Sequence, residues 1–269
     1  MQKYYDRENR RLVFENQSRG KADEKFWDSH WSHYSDEDFT KDVKIIDRFV
    51  LYYTSKYLPK GLKVLEGGCG KGQNVYTLQN NGYDAYGVDY AINTVSKVNQ
   101  AVPELKITTG DVRKLDFDNH FFDGYWSLGV IEHFIDGYNS ILGEMYRVIK
   151  EGGYLFLTVP SISIIRKLKA ALGMYTHLEN IELIRDGFYQ FAFSDGNIIN
   201  DFTENGFDLI AHKPRSGLKG LKDEVKILQY PLQRLYDSKL FIAKLTKKSI
   251  DIAVRKIANH MSFFIFQRN

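Results

Sequence analysis

The feature that most constrains this chain is a glycine-rich stretch at residues 64–72, with the sequence VLEGGCGKG. Its apolar start predicts a buried strand, and its four glycines predict a turn that bulky side chains could not enter. The periodic segment 73–81 then predicts a helix. A strand, a glycine turn and a helix present backbone N–H groups to a ligand at the carboxyl end of a sheet. The stretch therefore predicts a site for a nucleotide-like small molecule.

Glycine spacing separates two classes of ligand. The dinucleotide pattern G-x-G-x-x-G, counted from Gly68 and Gly70, requires a third glycine where the chain has Gln73. The pattern present is E-x-G-x-G-x-G, which runs from Glu66 to Gly72. The spacing argues against a nicotinamide dinucleotide, and the remaining alternative is an ordinary glycine-rich turn without a ligand.

Strands and helices alternate after this turn. Apolar runs predict strands at 83–88, 105–109, 121–128 and 153–159, and periodic segments predict helices at 91–101 and 136–149. Strands separated by helices of this length imply a parallel sheet with right-handed crossovers. Two later strands are predicted at 207–212 and 261–266. The fold class is therefore α/β, with a doubly wound sheet.

Four segments resemble the ordered motifs of class I S-adenosylmethionine-dependent methyltransferases, of the type 11/25-like domain. They are the glycine turn, Gly110-Asp111-Val112, residues 122–133 and residues 146–155, and the resemblance covers residues 62–160. It implies a Rossmann-like, seven-stranded, mostly parallel sheet of order 3-2-1-4-5-7-6. It also implies an N-terminal helical lid and a helical insertion before the last strand. The implied cofactor is S-adenosyl-L-methionine, with S-adenosyl-L-homocysteine as its product.

The resemblance assigns cofactor contacts residue by residue. Glu66 lies near the methionine end, Asp89 accepts both ribose hydroxyls, and Asp111 accepts from the adenine amino group. The glycines admit the ligand close to the backbone. The full predicted set is Glu66, Gly67, Gly68, Cys69, Gly70, Gly72, Asn74, Asp89, Tyr90, Asp111, Val112, Leu128 and Gly129.

The implied reaction is in-line methyl transfer, for which holding the reacting atoms collinear supplies most of the acceleration. A hydroxyl acceptor also needs proton removal, and His133 is the predicted catalytic base. The alternative for His133 is packing on the adenosine or capping the next helix, and the alternative candidates for the base are His30, His33, Tyr34 and Tyr189. Trp31, Tyr34 and Tyr189 are predicted to contact substrate. No metal is expected, because related ubiquinone-pathway O-methyltransferases carry a second Glu at the position of Gly129.

The implied acceptor is an oxygen of a small molecule or of a lipid-linked or sugar-linked molecule. The alternative function is a non-catalytic S-adenosylmethionine-binding or scaffold protein of the same fold. One cysteine and a polar N-terminus predict a cytoplasmic protein. The net charge of +3 conceals an asymmetry, because residues 213–269 hold 13 Lys/Arg and 4 Asp/Glu. Without an aromatic-interleaved basic groove, nucleic acid is not the expected partner.

Four segments divide the chain in this interpretation. Residues 1–60 form an arm and the first core helix, with residues 1–38 either a helical lid or an arm elsewhere on the core. Residues 61–216 form the cofactor-binding core, and residues 261–269 the final strand. Residues 217–260 form a basic amphipathic insertion with three alternatives: contact with the inner face of a membrane, dimerisation, or packing over the substrate pocket. The predicted state is a monomer or homodimer.

Overall fold

The structure is a computed structural model and describes residues 1–16, 23–31 and 36–269. Its strands, in chain order, are β1 (Gln2–Asp6), β2 (Arg11–Glu15), β3 (Lys63–Gly67), β4 (Asp84–Asp89), β5 (Lys106–Thr109), β6 (Phe122–Leu128), β7 (Ile149–Pro160), β8 (Thr176–His177), β9 (Phe188–Ala192), β10 (Phe207–Arg215) and β11 (Met261–Arg268).

Helices separate most of these strands. They are α1 (Glu24–Trp31), α2 (Asp36–Val43), α3 (Arg48–Tyr57), α4 (Gln73–Gln79), α5 (Ile92–Ala101), α6 (Asn139–Val148), α7 (Ile164–Ala171), α8 (Asp195–Glu204), α9 (Gly217–Glu224), α10 (Lys226–Asp237) and α11 (Phe241–Ala258). Two 3₁₀ helices lie at Ile131–His133 and Ile181–Gly187.

The central sheet has seven strands in the order β10-β11-β7-β6-β3-β4-β5. Counted from β3, this is the predicted order 3-2-1-4-5-7-6, which the structure confirms. The strands from β3 to β7 are mutually parallel, and β11 is antiparallel to both β7 and β10. The carboxyl ends of β3, β4, β5 and β6 therefore meet at one edge, where the glycine turn leaves β3.

The two faces of the sheet carry separate apolar cores. One contains Leu65, Tyr125 and Leu157 beneath α6 and α8, and the other contains Val64, Trp126 and Phe156 beneath α3, α4 and α5. Successive residues of β3 and β6 alternate between these cores, as expected for strands that are covered on both sides. The cores hold the carboxyl edge of the sheet rigidly in place.

A second sheet covers part of the molecule and was not predicted. Its four strands have the order β8-β1-β2-β9, and an isolated bridge from Ser161 to Phe193 links it to the end of β7. The first 16 residues are thus a β-hairpin, and within residues 1–38 the helical prediction holds for α1 and the start of α2. Residues 17–22 and 32–35 lie outside the described part of the chain.

The first core helix begins later than predicted. Helical spacing of the apolar residues Val43, Ile46, Phe49, Val50 and Tyr53 predicts one helix that runs to about Leu58. In the structure α2 ends at Val43 and α3 starts at Arg48. Asp47 explains the break, because its carboxylate accepts hydrogen bonds from the N–H groups of Phe49 (2.8 Å) and Val50 (3.0 Å). An acidic N-cap with two such bonds fixes where a helix begins.

Helices α9, α10 and α11 fill the connection between β10 and β11. Gly217 and Gly220 allow α9 to approach α11, since a Cβ at either position would lie within 2.5 Å of backbone atoms of Arg255 or Ala258. Because β11 starts where Met261 pairs with Pro160, these helices join the sheet at its carboxyl edge. Among the described residues, no helix is long and apolar enough to cross a membrane.

Candidate active site

A cavity lies at the carboxyl ends of β3, β4, β5 and β6. Its empty volume is about 690 Å³, a figure that includes open solvent at the mouth. Nine of the predicted site residues line it: Gly68, Gly70, Asp89, Tyr90, Asp111, Val112, Leu128, Gly129 and His133. Five residues that were not predicted complete the wall: Trp27, Gly110, Arg113, Val130 and Phe134.

The glycine turn brings backbone to the cavity without side chains. Gly68 has φ +74°, and a Cβ there would lie 2.5 Å from Val130 Cγ2, so no other residue fits without a shift. Gly70, with φ +48°, also lines the cavity. Gly72 faces the core instead, because a Cβ there would lie 2.2 Å from Ile107 Cδ1. Gly68 and Gly70 therefore let a ligand approach the backbone, and Gly72 lets the start of α4 pack against Ile107.

Four other predicted cofactor residues lie behind this wall. Gly67 packs on the Tyr125 hydroxyl, and the buried Cys69 thiol lies beside Gly87. Glu66 is also buried, with one carboxylate oxygen accepting a 2.6 Å hydrogen bond from Asn74 Nδ2. Its other oxygen has no hydrogen-bond partner among the described residues.

Burial raises the pKa of Glu66 to about 8, against the lowering effect of the Asn74 hydrogen bond. Without a cation nearby, this carboxyl therefore keeps its proton at neutral pH. A positively charged ligand group beside the unpartnered oxygen would favour the carboxylate. The methionine end of S-adenosylmethionine carries such charges, and the unpartnered oxygen, the glycine turn and the ribose-side carboxylate together fit that cofactor.

Asp89 ends β4 and connects two parts of the site. Its carboxylate accepts hydrogen bonds from the backbone N–H groups of Gly70 (2.8 Å) and Ala91 (2.9 Å). Burial raises the pKa of Asp89, and these backbone hydrogen bonds oppose the rise. These hydrogen bonds fix the Asp89 side chain between the glycine turn and α5. Asp89 also lines the cavity.

Asp111, after β5, is paired with Arg113. The guanidinium donates to both carboxylate oxygens, with Nη2 2.6 Å from Oδ2 and Nε 3.0 Å from Oδ1. Partial burial would raise the pKa of Asp111, but the hydrogen bonds from Arg113 outweigh it and lower the pKa. Arg113 also lies over the Phe134 ring at 5.2 Å, so this ion pair closes one side of the cavity.

His133 lies at the end of the 3₁₀ helix after β6. Its Nδ1 is 2.7 Å from the backbone carbonyl oxygen of Tyr189, which can only accept, so Nδ1 carries the proton. Burial lowers the pKa of His133 to about 4, despite the opposing effect of that hydrogen bond. At neutral pH the imidazole is uncharged, and Nε2 is left with a lone pair that can accept a proton.

Helix α1 closes over this histidine. The Trp27 and His133 rings meet edge to face, with centroids 5.0 Å apart, and Phe26 contacts Tyr189 at 5.8 Å. Asp28 anchors the helix, because its carboxylate accepts from Thr94 N and Thr94 Oγ1, both at 3.0 Å. Trp27 is thus a wall residue that lies only four positions from the predicted Trp31.

The three predicted substrate residues have different outcomes. Tyr189 places its backbone carbonyl on His133, and its ring packs 5.2 Å from the imidazole. Trp31 is the last residue of α1. Tyr34 lies outside the described residues. The contacts with His133 join Tyr189 to the cavity wall.

Glu132 is the remaining buried carboxyl of the site. It lies beneath Gly129, where a Cβ would be 3.4 Å from Glu132 Oε1, and its Oε2 has no partner among the described residues. Burial raises the pKa of Glu132 to about 8. Within 1–16, 23–31 and 36–269, no group of three or more His, Cys, Asp or Glu side chains could hold a metal ion.

Comparisons with known proteins agree with this geometry. Residues 65–157 match the family described as methyltransferase domain. No protein of curated function matches the chain by sequence. A methyltransferase of Methanosarcina mazei described as S-adenosylmethionine-dependent has a similar structure, with 16% identity, a TM-score of 0.55 and coverage of 83% of this chain and 99% of that chain.

Two further solved structures share the fold. Magnesium protoporphyrin IX methyltransferase from Synechocystis, solved with bound S-adenosylhomocysteine, has 17% identity and a TM-score of 0.52, covering 86% of this chain and 83% of that chain. The [4+2]-cyclase SpnF has 15% identity and a TM-score of 0.51, covering 82% and 80%. At these identities the likeness concerns the fold alone.

The domain match, the sheet topology and the position of the cavity agree with the class I methyltransferase fold. Residues 65–157 thus match a methyltransferase domain, and the fold of the chain is similar to that of solved S-adenosylmethionine-dependent methyltransferases.

Proposed function

We propose that the chain is an S-adenosylmethionine-dependent methyltransferase that transfers the methyl group to an oxygen of a small molecule or of a lipid-linked or sugar-linked acceptor. The observation that carries the proposal is the fixed tautomer of His133, whose Nδ1 is bound to the Tyr189 carbonyl. A neutral imidazole with a free Nε2 in the cavity wall suits an acceptor that must lose a proton.

The chain's residues have separate roles in this proposal. Asp89 and the turn at Gly68 and Gly70 bind the adenosine side, and Glu66 accepts the charge of the methionine side. S-adenosylmethionine supplies a methyl group that its positive sulfur activates. The acceptor oxygen bonds to the methyl carbon as the carbon–sulfur bond breaks, and His133 Nε2 takes the hydroxyl proton. S-adenosylhomocysteine is the product that leaves.

Because the pKa of His133 is about 4, its neutral imidazole is a weak base. Proximity therefore supplies most of the acceleration, and His133 removes the proton late, as the oxygen gains positive charge on methylation. Trp27 and Tyr189 support the reaction by packing on the imidazole and keeping water away from it.

The experiment is a screen of hydroxyl acceptors with detection of S-adenosylhomocysteine, followed by two substitutions of His133. His133→Asn keeps a donor for the Tyr189 carbonyl but removes the acceptor at the Nε2 position, and His133→Gln places an amide near that position. We expect His133→Asn to lower kcat about 10²- to 10⁴-fold while its affinity for S-adenosylhomocysteine is unchanged. Equal kcat for wild type and His133→Asn would contradict the assignment of the base.

The pH dependence gives an independent check on His133. Since its pKa is about 4, the required neutral form dominates above about pH 5. We expect no decline of kcat/KM from this group between pH 8 and pH 5, and a decline only below that range. A loss of activity with a midpoint between pH 6 and 7 that disappears in His133→Gln would show that the imidazole titrates normally.

A non-catalytic role remains the second candidate. The likeness to SpnF, which is named for a [4+2]-cyclase reaction, illustrates that this fold does not by itself imply methyl transfer. The two functions differ in the screen: binding of S-adenosylhomocysteine without turnover on any hydroxyl acceptor supports the second candidate.

A further inference from the structure

Helices α7 and α11 pack against each other, and each exposes an apolar stripe. Ile164 and Leu168 of α7 and Leu172 just after it recur every four residues, and Phe241, Leu245 and Ile252 of α11 recur at helical spacing. We call these two stripes, with the exposed Lys239, Lys244 and Lys248 beside them, the basic apolar face.

The exposure of this face is unusually high for apolar side chains. Leu172 is 75% exposed, Phe241 73% and Ile242 76%. Helix α10 also exposes Ile227 and Tyr230, and none of its residues is buried. Soluble monomers rarely expose large contiguous apolar patches unless the patch binds something. One prediction from the sequence was that the apolar side of this insertion covers the substrate pocket. In the structure, many of the apolar side chains of the insertion are exposed to solvent instead.

Helix α11 is packed firmly against α9. Glycines 217 and 220 bring α9 into backbone contact with α11, and Ala243 and Ala258 bury the opposite side of α11. Leu218 N donates to the Asp251 carboxylate at 3.1 Å, which ties the two helices together. The side of α11 that carries Phe241 and Leu245 is therefore held outward by the packing of the other side.

The charge of the insertion is strongly positive on its outside. Residues 217–260 hold 10 Lys/Arg and 4 Asp/Glu. The four acidic groups are engaged within the protein: Asp223 with Lys222 and His260, Glu224 with Arg166, Asp237 with Gln233, and Asp251 with Leu218 N. Lys239, Lys244 and Lys248 make no ion pair with any described residue. Their charge is thus available to an anionic partner.

We propose that the basic apolar face docks on an anionic phospholipid bilayer. Exposed Phe, Leu and Ile side chains enter the boundary between headgroups and acyl chains, and the flanking lysines contact anionic headgroups. A second copy of the chain is a poorer occupant, because a two-fold contact would bring the same unpaired lysines together. Charge complementarity therefore selects the membrane surface.

The position of this face bears on the acceptor. The insertion joins the sheet at Met261, opposite Pro160, and α7 follows β7, so both helices emerge at the carboxyl edge that also forms the cavity. If the chain methylates a hydroxyl as proposed above, an acceptor embedded in the bilayer could reach the cavity from this side. Membrane docking itself does not depend on the proposed methyl transfer.

The test is co-sedimentation of the full chain with vesicles. Vesicles of phosphatidylcholine with 30–40% phosphatidylglycerol, a composition on the order of an anionic leaflet, are compared with phosphatidylcholine alone. We expect binding to the anionic vesicles, weaker binding as salt rises, and little binding to the neutral vesicles. Phe241→Ser with Leu245→Ser should abolish binding. Lys239→Gln, Lys244→Gln and Lys248→Gln should weaken it by about fivefold for each lysine.

Matched controls distinguish binding through this face from non-specific binding of exposed apolar or basic side chains to vesicles. Leu183→Ser removes an equally exposed apolar side chain, 74% exposed, from the 3₁₀ helix Ile181–Gly187, and Lys60→Gln removes a lysine that lies before β3. Both controls should bind vesicles as wild type does. Melting temperature and affinity for S-adenosylhomocysteine are measured for every variant, so that a folding defect or a failure of cofactor binding is seen separately.

Two results would overturn the proposal. One is the absence of sedimentation with anionic vesicles at low salt. The other is a dimer, detected by light scattering, that Phe241→Ser with Leu245→Ser converts to monomer without any effect on vesicle binding. That outcome would make the face a subunit interface.

Discussion

Asp89 is the residue that most directly links the glycine turn to the ligand. Its carboxylate is held by two backbone N–H groups and faces the cavity. Asp89→Ala should weaken S-adenosylhomocysteine binding about 10- to 100-fold, since hydrogen bonds to a charged acceptor contribute about 1.5–3 kcal/mol. Calorimetry measures this change. Asp84→Ala, at the other end of the same strand, is the control, and equal affinities for the two variants would contradict the ribose assignment.

Residues of the site differ in how well the sequence predicted them. Asp89, Asp111 and His133 lie at ends of successive strands, where topology alone brings side chains together. Trp27 and Arg113 carry no motif, and their places depend on tertiary contacts: Trp27 on the docking of α1, and Arg113 on its ion pair with Asp111. Gly72 belongs to the motif but serves packing on Ile107, a distinction that spacing cannot make.

At the scale of elements, α1 and α5 depend on each other. The N-cap position of α5 is Ala91, which has no capping side chain, and Asp28 of α1 supplies the missing acceptor for Thr94 N. Asp28→Ala should cost about 1 kcal/mol of stability, as loss of an N-cap does, and lower the melting temperature by about 2–4 °C. It should also speed dissociation of S-adenosylhomocysteine, because Trp27 loses its anchor.

Stopped-flow dissociation and thermal unfolding measure these two effects of Asp28→Ala. Glu24→Ala on the same helix is the control and should leave both values near those of wild type. Unchanged dissociation in Asp28→Ala would show that α1 does not restrain the bound cofactor.

Elements with a strong local period were predicted well, and those that depend on distant partners were not. The seven strands of the central sheet were predicted from apolar runs along the chain, and their order was implied by the resemblance to the methyltransferase family. The hairpin β1–β2 was missed because its strands have five residues each, and its partner β9 lies about 170 residues away in sequence. The helices of the insertion were predicted as amphipathic, but periodicity cannot say which side of a helix is buried, and the division of the chain into four segments stays a prediction.

At the scale of the whole molecule, one buried ionic cluster connects three parts of the chain. Glu224 of α9 accepts from Arg166 (3.0 Å) and Lys169 (2.6 Å) of α7 and from Lys3 (2.6 Å) of β1. Arg166 and Glu224 side chains are each 1% exposed. Although burial alone would raise it, these cations hold the pKa of Glu224 at about 2.

Glu224→Gln should therefore destabilise the protein by about 3–5 kcal/mol, because it leaves buried cations without their counter-charge. The pKa of Glu224 is lowered on folding, so its contribution is complete above about pH 4.5 and declines as pH falls toward 2. Denaturant unfolding of wild type and Glu224→Gln at several pH values tests this. A stability difference that does not shrink between pH 4.5 and pH 3 would contradict the assigned role. The same cluster predicts that deletion of residues 217–260 destabilises the protein, since Arg166 would stay buried without its counter-charge.

The central claim is that the cavity at the carboxyl edge binds S-adenosylmethionine, and titration calorimetry with S-adenosylhomocysteine tests it most directly. We expect one molecule bound per chain, and a melting temperature that rises with ligand concentration, equivalent to about 2.7 kcal/mol of stabilisation at a hundredfold excess over Kd. We also expect no heat of binding with a nicotinamide dinucleotide, which the glycine spacing disfavours. Binding of the dinucleotide, with no binding of either S-adenosylmethionine or S-adenosylhomocysteine, would contradict the account.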